Sequence, residues 1–181
     1  LIADSTATNR IVLKVKLAAA RYQTMQAVSA PEALAAARAT RPDLVIVDAH
    51  LADGGGAGLC KALKADPETR AIPVLVIDGA PSQNARLTAL RTGADDYLAK
   101  PLDEPSLLAL VRALMRTRAT HDELARRQET AAMLGFAEPH AAFTRKARIA
   151  LIAPDAETGL GWRRALAPAL RAQISAMTRA Q

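Results

Sequence analysis

Three side chains of this sequence have the chemistry that a phosphoryl-accepting site needs. Asp4 and Asp48 each end an apolar run, and Lys100 follows the short segment from Tyr97 to Ala99. Transfer of a phosphoryl group to a carboxylate requires a nucleophilic oxygen, a divalent cation that offsets the phosphoryl charge, and a second cation on the other side. Two aspartates and a lysine supply these groups if the fold brings them together. We take Asp48, at the end of a continuous β-branched run, as the candidate nucleophile.

Short apolar runs alternate with alanine- and leucine-rich helical stretches over residues 1–115. The predicted strands are residues 1–4, 23–28, 44–48, 74–78 and 97–98. The predicted helices are residues 8–20, 31–40, 56–65, 82–92 and a stretch from 104 onward. Strands that alternate with helices imply βαβ units and a parallel sheet that is covered on both faces. The predicted fold class is therefore α/β, a doubly wound five-stranded parallel sheet, in which ligand chemistry collects beyond the carboxyl ends of the strands.

The strand ends place the candidate side chains at one edge of this sheet. Asp4 and Asp48 end strands one and three, which are neighbours in a sheet of order 2-1-3-4-5, so their carboxylates could share one metal. Mg²⁺ prefers oxygen ligands and usually keeps several waters, so one or two carboxylates suffice. Lys100 ends strand five and can reach the same pocket. Pro101 is a candidate for a cis peptide bond, because the turn must aim the lysine ammonium inward.

Taken in order, these segments resemble the receiver domain of two-component response regulators, the CheY-like fold, over residues 1–118. The resemblance is carried by Leu-Ile-Ala-Asp4, by Pro-Asp-Leu-Val-Ile-Val-Asp48, and by Gly-Ala-Asp-Asp-Tyr-Leu-Ala-Lys-Pro101. Each segment alone is a weak signal. Their order, with the right strands between them, makes the resemblance specific.

The resemblance implies a role for each of the candidate residues. Asp48 would be the phosphoacceptor, Asp4 a metal acid, Lys100 the phosphate-facing lysine and Tyr97 the aromatic switch residue. Mg²⁺ would be the cofactor, and a histidine kinase or phosphotransfer protein would supply the phosphoryl group in a phosphorelay. A conformational shift would then control a C-terminal output domain and association.

Two positions depart from the family pattern. Ser5 stands where the family usually has a second acid that is the direct metal ligand, so Mg²⁺ binding should be weakened. Asp78 stands where the family usually has the threonine or serine of the switch. An ionised carboxylate cannot donate a hydrogen bond, and it would repel a phosphoryl group. Asp78 could instead pair with Lys100 or, with Ser5, complete the metal site.

Two functions stay open on these grounds. The first is a receiver that accepts a phosphoryl group on Asp48. The second is a phosphorylation-independent pseudo-receiver, a protein-interaction and dimerisation module whose site Ser5 and Asp78 fix in one state.

The chain continues beyond the expected receiver. The last helix predicts a helical linker over residues 119–147, and a strand, a helix and a second strand follow at 149–152, 157–170 and 173–177. We interpret residues 148–181 as the N-terminal fragment of a degenerate second receiver-like domain, because its first strand ends in Ala153-Pro154 without acids. This order is similar to the front half of PleD-type diguanylate cyclases. Any catalytic output domain would lie beyond residue 181, so residues 1–181 would be regulatory. We expect a homodimer that forms through the receiver and the helical linker.

Charge and composition restrict the environment and the partners. The net charge is +6, yet residues 1–115 hold 13 Lys and Arg against 12 Asp and Glu, so the excess lies in the helical tail. That tail holds only three aromatic residues that could stack on bases, so nucleic acid is not an expected partner, and a DNA-bound regulator has only this basic tail in its favour. The apolar runs are too short to span a membrane. The single Cys60 favours a reducing, cytoplasmic location. Because Leu1 lies inside a predicted strand and Gln181 inside an unfinished domain, we expect further residues at both ends.

Overall fold

The computed structural model describes residues 1–133, 147–168, 170 and 172–178. The chain divides into two units, residues 1–131 and 132–181, which are described separately.

The first unit is a five-stranded sheet flanked by five helices. Its strands are all parallel and lie in the order β2-β1-β3-β4-β5, which confirms the predicted α/β fold and sheet order. The strands are β1 (Ile2–Ala3), β2 (Gln26–Ala27), β3 (Val45–Asp48), β4 (Val74–Asp78) and β5 (Asp96–Ala99). The helices are α1 (Ala7–Ala19), α2 (Ala30–Thr40), α3 (Gly55–Ala65), α4 (Gln83–Arg91) and α5 (Glu104–Met133).

The sheet is buried on both faces, as its central strands require. Every residue of β3 and β4 is buried, which matches their continuous apolar runs. On one face Val45 and Val47 pack with side chains of α2, α3 and α4. On the other face Ile46 and Leu75 pack with side chains of α1 and α5. The two cores hold the central strands rigidly, so the side chains at their ends share one fixed edge.

The strand register determines which residues meet at that edge. Ala3 pairs with Val47, and Asp48 pairs with Ile77. Asp78 pairs with Ala99, the residue before Lys100. The carboxyl ends of β1, β3, β4 and β5 therefore lie side by side.

The helices begin in different ways. The side chain of Ser29 accepts a hydrogen bond from the amide of Glu32 and caps α2, and Ser82 caps α4 in the same way. Thr6 precedes α1 but makes no side-chain capping bond. The start of α1 is held by other contacts, which involve the acidic end of β1.

The second unit contains β6 (Ala147–Ala153), α6 (Ala156–Leu166) and β7 (Ala172–Thr178), with β6 parallel to β7. The side chain of Asp155 caps α6. Helix α5 runs through residues 119–133 of the predicted linker, and residues 134–146 of that linker lie outside the described part of the chain. Among the described helices, none is both long and apolar enough to cross a membrane.

Candidate functional site

Four of the predicted site residues meet at the carboxyl edge of the sheet. Asp4, Asp48 and Asp78 are 2%, 9% and 2% exposed. The Lys100 Nζ lies 2.5 Å from Asp48 Oδ2 and 3.6 Å from Asp4 Oδ2. Lys100 is thus an ammonium shared between the carboxylates that end β1 and β3, and such a charge can stabilise anionic oxygens bound beside Asp48.

The backbone on either side of Lys100 fixes where its side chain starts. Its amide donates to the carbonyl oxygen of Asp78 at 2.7 Å, which continues the pairing of β5 with β4. The Lys100–Pro101 peptide bond, the candidate cis bond of the sequence, is cis.

The candidate acceptor Asp48 is fixed by the loop that follows it. Its Oδ1 accepts a hydrogen bond from the amide of His50 at 2.9 Å. Gly56, in the first turn of α3, lies against the backbone of the same strand end. A Cβ atom at Gly56 would lie 2.6 Å from the Asp48 carbonyl oxygen and 3.0 Å from the Cα of Ala49. Only glycine allows α3 to start this close to Asp48.

Asp78 is bound to Tyr97 instead of to the lysine. Its Oδ2 accepts a hydrogen bond from the Tyr97 hydroxyl at 2.8 Å, and its Oδ1 accepts one from the Ala80 amide at 2.8 Å. The His50 Nε2 lies 3.3 Å from Asp78 Oδ1. Among the described residues, Lys100 forms ion pairs with Asp4 and Asp48 and not with Asp78.

These contacts decide the charge of Asp78 and the protonation of Tyr97. Burial raises the pKa of Asp78. The hydrogen bonds from Ala80 and Tyr97 and the contact with His50 lower this pKa by a larger amount, so it lies below the usual value. Burial and the neighbouring Asp78 carboxylate raise the pKa of Tyr97 to about 12. At neutral pH the pair is an ionised aspartate and a neutral phenol.

Asp4 and Ser5 are held by the first turns of α1. Asp4 Oδ1 accepts from the Thr6 amide at 2.8 Å, and Asp4 Oδ2 accepts from the Asn9 side-chain amide at 2.9 Å. Ser5 is exposed, and its carbonyl oxygen accepts a hydrogen bond from Arg10 at 3.1 Å. The sequence does not predict the contacts of Asn9, Arg10 and His50. For Asn9 and Arg10 the available signal is their position five and six residues after Asp4, within reach of its carboxylate and carbonyl oxygens.

The donor set fits Mg²⁺ with few protein ligands. The described residues contain no cluster of three or more His, Cys, Asp or Glu side chains arranged to hold a metal. Asp4 and Asp48 end neighbouring strands and both contact Lys100, so two carboxylates can face one cation that keeps its other ligands as water. Ser5 adds no charge to this set.

A sequence model of the response regulator receiver domain matches residues 1–112. The chain belongs to this family. The match confirms the predicted receiver of two-component signal transduction. It covers all five strands and the two buried residues of α5, Leu107 and Val111.

Individual relatives agree with this assignment. The receiver chain is 36% identical over 135 residues to the response regulator PleD of Caulobacter vibrioides, and this alignment covers 75% of the chain and 30% of PleD. A putative response regulator from Chloroflexus aurantiacus has a solved structure with 31% identity and a TM-score of 0.62, over 64% of this chain and 94% of that one. The matched part of the chain thus spans less than a third of PleD but nearly all of the Chloroflexus chain in that structure.

A second solved structure shares the fold and contains a metal. It is the receiver domain of a sensor histidine kinase from Pseudomonas aeruginosa, crystallised with a magnesium ion in its active-site cleft. It is 22% identical to this receiver, with a TM-score of 0.59 over 63% of this chain and 93% of that one.

Proposed function

We propose that this receiver accepts a phosphoryl group on Asp48 from a phosphohistidine of a histidine kinase or phosphotransfer protein. The observation that carries the proposal is the shared ammonium of Lys100, bound to Asp48 and close to Asp4. A lysine in this position can bind the phosphoryl oxygens after transfer, because it already lies beside the Asp48 oxygen to which the phosphorus would be bonded.

The proposed step is a displacement at phosphorus. A carboxylate oxygen of Asp48 forms the new O–P bond, and the N–P bond of the phosphohistidine breaks with its electron pair returning to the imidazole nitrogen. Lys100 offsets the negative charge of the phosphoryl oxygens. Asp4 and Asp48 are the residues that would hold Mg²⁺, which supplies further positive charge at the same oxygens.

The charge balance of the site supports weakened Mg²⁺ binding and slow phosphorylation. Two buried carboxylates, those of Asp4 and Asp48, contact the one lysine ammonium, and a third buried carboxylate, that of Asp78, ends the neighbouring strand β4. Asp78 places negative charge near the incoming phosphoryl group, and Ser5 removes one carboxylate from the metal site. The Asp78 carboxylate repels the phosphoryl group, and the missing carboxylate at Ser5 weakens Mg²⁺ binding, so both residues act against transfer.

We propose Asp78 and Tyr97 as the switch pair of this receiver. Asp78 ends the strand beside β5, and Tyr97 is a residue of β5 whose hydroxyl reaches it. A phosphoryl group on Asp48 would draw Lys100 toward itself and change the electrostatic field at Asp78. The Tyr97 hydrogen bond is then the contact through which β5 and the adjoining helices respond.

Incubation with a small phosphodonor, with and without Mg²⁺, followed by intact-mass measurement tests the first proposal. The native chain should gain the mass of one phosphoryl group, more slowly than the double variant Ser5→Asp/Asp78→Thr, which restores both family residues. If the double variant is modified and the native chain is not, the phosphoacceptor proposal is wrong.

A second candidate function has an observation of its own. Every oxygen of the three buried carboxylates already has a hydrogen-bond or ion-pair partner in the unphosphorylated chain. Such a site is stable without metal or phosphate, as a phosphorylation-independent interaction module would require. Binding of a kinase or output partner with equal affinity by the native chain and Asp48→Ala would favour this candidate.

The organisation of the whole protein is also a proposal. The alignment with PleD extends over 135 residues, beyond the 112 of the receiver family match, so it includes part of helix α5. We infer a receiver at 1–118, a helical linker at 119–147 and a second receiver-like fragment at 148–181. A cytoplasmic homodimer that controls a diguanylate cyclase output domain fits this arrangement.

A further inference from the structure

We propose that Asn9 and Arg10 are positioning residues that together hold Asp4 in its orientation toward Asp48 and Lys100. The inference rests on the proposed function only in naming Asp4 as a residue of the reactive site. It assigns a role to two residues of α1 that do not themselves end a strand.

Asn9 acts on the carboxylate. Its Nδ2 donates to Asp4 Oδ2 at 2.9 Å, and the same oxygen lies 3.6 Å from Lys100 Nζ. The other oxygen of Asp4 accepts from the Thr6 amide at 2.8 Å. The carboxylate is therefore held at both oxygens, and Asn9 is the side chain that fixes its rotation about χ2. A hydrogen bond of this kind orients a ligating carboxylate before any cation arrives.

Arg10 acts on the backbone under the carboxylate. One Nη1 donates to the carbonyl oxygen of Asp4 at 2.7 Å and to that of Ser5 at 3.1 Å. The Nε of the same guanidinium donates to Gln26 Oε1 at 3.3 Å, so the side chain ties the loop after β1 to the edge strand β2. A planar fork can make these contacts together, whereas a lysine has a single nitrogen.

The start of α1 needs this support. Thr6 makes no side-chain cap, and no acidic residue lies in the first turn of the helix. The acidic end of β1 supplies the contacts instead, because Asp4 accepts the amide of Thr6, the residue before the helix, while Asn9 and Arg10 in the first turn bind back to Asp4. The same hydrogen bonds thus hold the start of α1 and the orientation of the Asp4 carboxylate, so removing them should make both more mobile.

Amide hydrogen exchange of Thr6, measured by NMR on the metal-free chain, tests the proposal without any phosphorylation. In Asn9→Leu, which keeps the size but removes the donor, the Thr6 amide should exchange about tenfold faster, because Asp4 no longer stays in place to accept it. Amides in the middle of α1, such as that of Leu13, should keep their native rates. Asn9→Gln, which keeps an amide donor, should lie closer to the native chain.

Asn84→Leu is the matched control. Asn84 is an exposed asparagine in the first turn of α4, and it makes no side-chain hydrogen bond within the described residues. Arg10→Lys should also speed exchange at Thr6, and Arg91→Lys, at an exposed arginine of α4, should not. Equal Thr6 rates in Asn9→Leu and Asn84→Leu would overturn the proposal.

A second readout connects the positioning to the site. Binding of Mn²⁺, followed by the loss of the free-ion signal in electron paramagnetic resonance, should be about tenfold weaker in Asn9→Leu than in Asn84→Leu. Equal behaviour of the two variants toward Mn²⁺ would contradict a role of Asn9 in the site. Because neither readout uses a phosphodonor, failure of the phosphorylation test and failure of this proposal are distinguishable.

Discussion

The pair formed by Tyr97 and Asp78 shows how one substitution changes the chemistry of the site. A hydroxyl at position 78 could donate to a phosphoryl oxygen, but the carboxylate can only accept, and it accepts from the Tyr97 hydroxyl at 2.8 Å. Tyr97 is 9% exposed and Asp78 is 2% exposed, so the bond is shielded from water. The aromatic ring is therefore held against the end of β4.

The phenol of Tyr97 reports on this bond. Its pKa is about 12 in the native chain, because burial and the Asp78 carboxylate both disfavour the phenolate. In Asp78→Asn the charge is gone, so the pKa of Tyr97 should fall toward its ordinary value while burial keeps it somewhat raised. Phenolate absorbance during a pH titration measures it, and Tyr97→Phe identifies the signal. An unchanged pKa in Asp78→Asn would show that the carboxylate does not act on Tyr97.

The same shift makes the stability of the receiver depend on pH. The folded pKa of Tyr97, about 12, lies above the ordinary value of 10.0, so the folded state keeps this proton longer than the unfolded state. The stabilising contribution of Tyr97 is fully present below pH 10 and is lost as the pH rises toward 12. Urea unfolding of the native chain and Tyr97→Phe at increasing pH should show their difference in unfolding free energy shrinking over this range. A difference that stays constant there would contradict the assignment.

At the scale of elements, strand ends were predictable and side-chain partners were not. Asp4, Asp48, Asp78 and Lys100 meet because parallel strands end at one edge, and that follows from the alternation of strands and helices. The contact of Asn9 with Asp4 depends on rotamers and on the conformation of the loop after β1, which periodicity does not specify.

The second strand shows a related limit at a sheet edge. The sequence predicts a strand over residues 23–28, but only Gln26–Ala27 pair with β1. The chain first has to turn after α1, where Arg21 has a φ of 65° and the Tyr22 amide bonds to the Leu17 carbonyl. An edge strand has one neighbour, so its length is set by that turn more than by its own residues.

Packing of α3 on the end of β3 gives a prediction at this scale. Gly56→Ala should lower the unfolding free energy by about 1–3 kcal/mol, because the new methyl group meets backbone atoms that cannot move aside. Gly58→Ala, in the same helix but with no atom near the new Cβ, should instead raise it by about 0.5–1 kcal/mol. Chemical denaturation of both variants measures the difference. Equal effects of the two substitutions would mean that α3 does not press on Asp48 as described.

At the scale of the whole molecule, the receiver unit is nearly neutral and the positive charge lies beyond it. Residues 116–181 hold 11 Lys and Arg against 6 Asp and Glu. Within helix α5, Leu107 and Val111 are buried against the sheet, while Leu124 is 51% exposed and Met133 is 87% exposed. The helix thus changes from a core element to an exposed one along its length, as a connection to further domains would.

The central claim is that Asp48 is the acceptor at a site weakened but not abolished by Ser5 and Asp78. The most direct measurement is intact mass after exposure to a small phosphodonor and Mg²⁺, for the native chain, Asp48→Asn and the neighbouring exposed control Asp53→Asn. We predict one added phosphoryl group on the native chain and on Asp53→Asn, and none on Asp48→Asn. A phosphoryl group that persists on Asp48→Asn, or its absence from the native chain when Ser5→Asp/Asp78→Thr is modified, would contradict the claim.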